Sequence, residues 1–110
     1  MERGDRILIV RQPWLDLILS GEKTLEIRGT RMKPDAYFLG CRGHVFGKII
    51  IGAAMPLDAD GWIEWRVEHR VPGPMPYKRT YGLPIERAVR VKTLPFHHPR
   101  GAIGVVVCRG

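Results

Sequence analysis

The chain has 110 residues, 45% hydrophobic and 26% charged, with a formal net charge of +7. This is the composition of a folded, soluble chain with a single core over residues 1–110, and it excludes a disordered or low-complexity one. No apolar run approaches the roughly 20 residues of a membrane span, and "MERGDR" leads into only four apolar residues, which is not a signal-peptide pattern.

"RILIV" (Arg6–Val10) is a short apolar run rich in β-branched residues and predicts a buried strand. "QPWLDLILSG" follows, with Pro13 suited to the first turn of a helix and Gly21 to its left-handed end. Trp14, Leu17 and Ile18 fall at helical spacing, so a helix of about two turns with an apolar face is expected. Trp14 either packs in the core or forms the wall of a pocket. "LSGEKTLEIRG" (Leu19–Gly29) then carries Glu22, Lys23, Glu26 and Arg28. Within it "KTLEIR" alternates, which predicts a strand with Leu25 and Ile27 inward and Thr24, Glu26 and Arg28 on the other face. Lys23 follows the glycine turn, where its long stem can swing to either side.

Residues 29–43 read as a loop with a brief strand at Tyr37–Leu39, and residues 44–57 as one long strand with Gly47 and Gly52 at bulge or bend positions. "DADGWIEWRVEHR" predicts a helix capped by Asp58 or Asp60, with Trp62, Trp65 and His69 recurring on its turns. Residues 71–84 hold four of the nine prolines and read as a loop. "IERAVRVKTLPF" (85–96) alternates as a strand, and "AIGVVVCRG" reads as a final buried strand. The sum is a mixed α/β (α+β) chain, in which five or six strands and two short helices close a curled sheet or barrel on one core.

Charge is unevenly spread. Residues 1–65 hold nine Lys/Arg against nine Asp/Glu, whereas residues 66–110 hold nine Lys/Arg against only Glu68 and Glu86. A one-sided excess of this kind points to a polyanionic partner, most often nucleic acid. Cys41 and Cys108 form no CxxC pattern and read as reduced thiols of a cytoplasmic protein. With the four histidines they give no zinc-ligand spacing, and neither a metal nor a cofactor is expected.

"RQPWLDLILSGEKTLEIRG" resembles the signature of the ASCH domain family, Gly-x-Lys-x-x-Glu-x-Arg, here Gly21, Lys23, Glu26 and Arg28. The closing "YKRTYGLPIERAVRVKTLPFHHPRGAIGVVV" is similar to the family's second half. The resemblance implies a PUA-like β-barrel with a cleft and an association with RNA. It also implies, for some members, amidohydrolase activity on N4-acetylcytidine, and for others ribonuclease activity. Members of the hydrolase kind carry a threonine where this chain has Glu26.

The expected catalytic set is Lys23, Glu26 and a helix carboxylate, Glu68 or its neighbour Glu64. A lysine in a dry pocket beside Arg28 loses basicity and can serve as a base. The expected binding set is Lys23, Glu26 and Arg28 in the cleft. Arg79, Arg87 and Arg90 would meet phosphates, and Trp14 and Tyr81, with Tyr77, would stack on unpaired bases. The partner expected is RNA or a nucleoside, with no membrane.

Overall fold

The structure, a computed structural model, describes residues 1–109. It contains seven strands in one mixed sheet and three short helices. Strand β1 is Arg6–Ile9, α1 Trp14–Ser20, β2 Leu25–Arg28, β3 Ala36–Cys41 and β4 His44–Ile51. Then come β5 Met55–Leu57, α2 Ala59–Glu64, α3 Arg66–His69, β6 Thr80–Pro95 and β7 Val105–Val107. The order across the sheet is β2-β6-β4-β3-β1-β7, with β5 also paired to β6. Only β1 and β3 run parallel among the paired strands. The result is the expected α+β curled half-barrel, with one strand and one helix more than counted from the sequence. No helix among the described residues is long and apolar enough to cross a membrane.

The first three elements form where the sequence places them. Gly21 ends α1 in the left-handed region at φ 85°, and its N–H donates to the Ile18 carbonyl. Leu15 and Ile18 point from α1 into a core shared with Leu8, Leu39, Ile49 and Leu83. Each such side chain contributes about 1.5–3 kcal/mol on leaving water. Gly47 lets α1 lie close to the sheet: a Cβ there would stand 2.5 Å from Leu19 Cδ2 and 2.9 Å from the Val89 carbonyl oxygen. Gly47 also follows a bulge, because Leu39 pairs with Gly47 and Gly40 with Val45, leaving Phe46 unmatched.

Four expectations about the strands need correction. The brief strand at Tyr37–Leu39 is six residues long, because β3 is covered by pairing on both sides, to β1 and β4. The long strand over 44–57 is two strands, β4 and β5, parted at residues 52–54. Residues 80–84 are strand and not loop: β6 begins between β2 and β5, then continues beside β4. The last strand is a three-residue edge, with Val106 buried but Val105 and Val107 exposed.

The predicted helix over 58–70 is broken at Trp65. The Asp58 side chain caps its start by accepting from Gly61 N–H at 2.7 Å. His69 Nε2 lies 2.8 Å from the Trp62 carbonyl, the acceptor a continuous helix would offer to Arg66 N–H. A side chain inserted into the helical ladder in this way breaks the helix.

A buried ionic junction and a separate basic surface

Lys23, Glu26 and Arg28 are brought together at the junction of α1, β2 and α3. The turn after Gly21 is fixed by Lys23 N–H donating to the Leu17 carbonyl at 2.9 Å. Thr24 N–H donates to the Glu68 carbonyl at 2.9 Å, which ties the start of β2 to α3. Lys23 is 1% exposed and Glu26 5%. Alternation gave Glu26 to the outer face of β2, and that face is covered as well.

The Lys23 ammonium donates to the His69 carbonyl and lies 3.7 Å from Glu26 Oε1. It therefore satisfies a carbonyl at the C-terminal end of α3, where helices leave acceptors without partners and favour a cation. Its other neighbour is the Trp14 ring, 5.1 Å from Nζ to the centroid. Glu26 Oε1 also accepts from Ile27 N–H at 3.1 Å, while Oε2 accepts from Arg28 Nε at 3.1 Å and Nη2 at 2.8 Å. Arg28 Nη2 also donates to the Ile9 carbonyl at 2.8 Å, joining β2 to the end of β1. Burial pushes the Lys23 amine below the ordinary lysine value of 10.5, and the Glu26 carboxylate opposes that shift without cancelling it.

His69 lies under the same junction and is fully buried. Its Nδ1 accepts from Val71 N–H at 2.9 Å, so Nε2 carries the proton given to the Trp62 carbonyl. The ring stacks on Trp62 with centroids 3.9 Å apart. Burial holds its pKa below 6.5. Sequence reasoning placed His69 only as a residue of the helix face. The signal that could have marked it is the i, i+7 spacing from Trp62, which puts both rings on one side.

Glu68 joins this junction by its backbone and not by a charge pair. Lys23 has Glu26 as its one ion-pair partner among the described residues, and Glu68 Oε2 is buried with no hydrogen-bond partner among them. Glu64 is exposed. The helix carboxylate near the junction is therefore Glu68, but it is not assembled onto the lysine.

The remaining expected residues lie apart from Lys23. Tyr81 is opposite Arg28 in the β2–β6 register, and the Arg31 guanidinium covers its ring at 4.9 Å. Tyr77 is 46% exposed, with its ring against Gly29, where a Cβ would stand 3.0 Å from Cδ1. Arg79 is exposed in the loop before β6. Arg87 pairs with Ile50 and Arg90 with Gly47. They are three apart in an unbroken register, so they project from opposite faces of β6. All nine Lys/Arg of residues 66–109 are exposed, and none makes an ion pair among the described residues.

No family model matches the chain, and no curated protein matches it. Solved structures do. The crystal structure of an ASCH protein from Zymomonas mobilis is similar at a TM-score of 0.73 and 14% identity, over 98% of this chain and 90% of that one. Two structures of mutants of that protein give TM-scores of 0.75 and 0.73, each at 14% identity and over 97% of this chain. They are covered over 89% and 91% of their own lengths. The chain has the ASCH fold over nearly its whole length.

Proposed function

We propose that this ASCH-fold chain binds RNA or a modified nucleoside. In this reading the Lys23–Glu26–Arg28 junction fixes the shape of the recognition face, and the cations of residues 66–109 supply the attraction. The observation that carries it is that all nine of those cations are exposed and free of ion pairs among the described residues. Charge of one sign left unspent inside a protein is available to a polyanion, and attraction to phosphates is sequence-independent and salt-sensitive. Tyr77 offers the more open stacking surface, and Trp14 and Tyr81 each have a cation on the ring. Two free thiols at Cys41 and Cys108 suit a cytoplasmic setting.

The test is a titration of labelled single-stranded RNA with the purified protein at several salt concentrations. A logarithmic slope of about −0.7 for each phosphate contact is expected, and affinity indifferent to salt would end this reading. Scoring the RNA for cleavage in the same tubes tests ribonuclease activity.

A second reading, hydrolysis of N4-acetylcytidine, is favoured by one feature: an amine made less basic by burial, beside a carboxylate. In that reaction water adds its hydroxyl to the acetyl carbon, the C–N bond breaks, and a proton goes to the exocyclic nitrogen. Lys23 would move that proton. The side chain of Lys23 is closed to solvent in this conformation, which favours a positioning role and places binding first. Acetate release from the nucleoside, lost in Lys23→Met, would reverse that order.

A further inference from the structure

We infer that a cavity of about 330 Å3 beside Arg28, walled by Arg6, Arg28, Arg31 and Lys33, takes the phosphate of a nucleotide. The ligand presented to the recognition face is then phosphorylated and not a free nucleoside. This rests on the nucleotide-binding reading above and names its substrate class.

The charges of this cavity come from the half of the chain whose formal charges balance. Its lining includes four cationic side chains and no carboxylate. Two of the four are already committed. Arg6 is paired with Asp35, and Arg28 spends Nε and Nη2 on Glu26 and on the Ile9 carbonyl. Among the described residues Arg28 Nη1 and the Lys33 amine make no hydrogen bond to the protein, and Arg31 makes one, of 3.5 Å, to the Ala54 carbonyl. Donors are therefore left over around a space that no acid enters.

The walls are held before any ligand arrives. Tyr37 is buried, its hydroxyl donates to the Lys33 carbonyl at 2.7 Å, and the Arg6 guanidinium lies over its ring at 4.9 Å. Arg31 is held in the same way over Tyr81, at 4.9 Å. Donors fixed by stacking lose less freedom on binding, and guanidinium forks match the several oxygens of a phosphate. The volume exceeds that of a phosphate alone, which leaves room for the attached sugar. Arg28 ties this cavity to the junction, since its other edge holds Glu26, 3.7 Å from the Lys23 amine.

Calorimetry on the purified full chain at low salt tests this, with inorganic phosphate, cytidine, cytidine 5′-monophosphate and a short 5′-hydroxyl oligocytidylate as ligands. The monophosphate should bind at least about tenfold more tightly than cytidine, the worth of one good charge-assisted contact. Lys33→Ala should remove most of that difference and leave cytidine binding unchanged, and Arg31→Ala should remove most of it as well. Lys33 is exposed and has no partner, so its variant keeps the fold. Arg3→Ala, exposed and outside the cavity, should leave all four unchanged. If the oligonucleotide shows the Lys33 dependence more strongly than the monophosphate, the cavity stands and its phosphate belongs to an RNA chain. If phosphate binds with that dependence while no nucleoside or nucleotide does, the cavity stands and the nucleotide reading fails. Equal affinities for cytidine and its monophosphate, or a Lys33→Ala protein that binds the monophosphate like wild type, overturns the inference. So does the absence of any binding.

Discussion

Two charged regions of this molecule use the same residue types in opposite ways. In the junction after α1, Lys23 and Glu26 are closed off, and with the half-buried Arg28 they satisfy one another, the His69 carbonyl and the Ile9 carbonyl. Along residues 66–109 nine exposed cations make no ion pair among the described residues, and only Arg66 and Arg70 meet an internal acceptor, the Gly73 and Val67 carbonyls. A buried charge gives position at a cost in desolvation, and an exposed one gives attraction at almost no cost. A deletion should therefore unfold the first region and merely weaken a ligand at the second.

The largest effect belongs to Glu26→Ala. It would leave the buried Lys23 ammonium and the half-buried Arg28 without their carboxylate, and about 3–5 kcal/mol of stability should be lost in urea unfolding. Arg79→Ala should fall within about 0.5 kcal/mol of wild type. Comparable losses at the two positions would mean that the junction is wet in solution, and the contrast between regions would fail.

His69 sharpens the same contrast through pH. Its folded pKa lies below the ordinary 6.5, so the folded chain binds fewer protons than the unfolded chain in the interval between the two values. The stability it contributes is complete above 6.5 and is lost as pH falls through the folded value. His69→Phe should cost about 1–3 kcal/mol at neutral pH, because the Trp62 carbonyl and Val71 N–H lose their partner. It should also flatten the acid limb of the stability profile. A limb that persists unchanged in the variant would assign the titration elsewhere.

The two regions were not equally legible. The spacing of Gly21, Lys23, Glu26 and Arg28 located the junction, and the charge count located the basic half. Pattern could not show that Glu26 is buried, because period-2 alternation assumes one wet face and here Lys23 and Arg28 close over the second. The start of β6 was hidden by composition. Proline is rare inside a central strand, yet Pro84 lies opposite Leu25, at the changeover where β6 leaves β2 and joins β4. There its carbonyl accepts from Gly52 N–H at 2.9 Å, and Glu86 is bulged out between Ile85 and Arg87. The cavity cations Arg6, Arg31 and Lys33 were invisible for a different reason. Their half of the chain is neutral in sum, and only the fold separates its bases from its acids.

On RNA, the two regions should differ in salt dependence. Lys78→Ala with Arg79→Ala removes two exposed charges from one loop and should lower the logarithmic slope by about 1.4, at about 0.7 for each phosphate contact. Lys23→Met removes one charge that no phosphate can reach and should leave the slope as it is. An equal drop in both would make the junction part of a basic patch.

The smallest effect separates neighbours within the basic region. Arg87 and Arg90 look like a pair in the sequence, but Arg87 shares a face with Ile50 and Arg90 with Gly47, beside α1. One RNA strand running over one face of β6 reaches only one of them. The double variant should therefore lower the slope by about 0.7 and not by twice that, with one single variant accounting for all of it. If Arg87→Ala carries the loss, RNA crosses the outer face of β4 and β6. If Arg90→Ala carries it, the RNA lies on the face that packs α1. Equal shares would require RNA to wrap the strand edge, and the two faces would then cease to be separate surfaces.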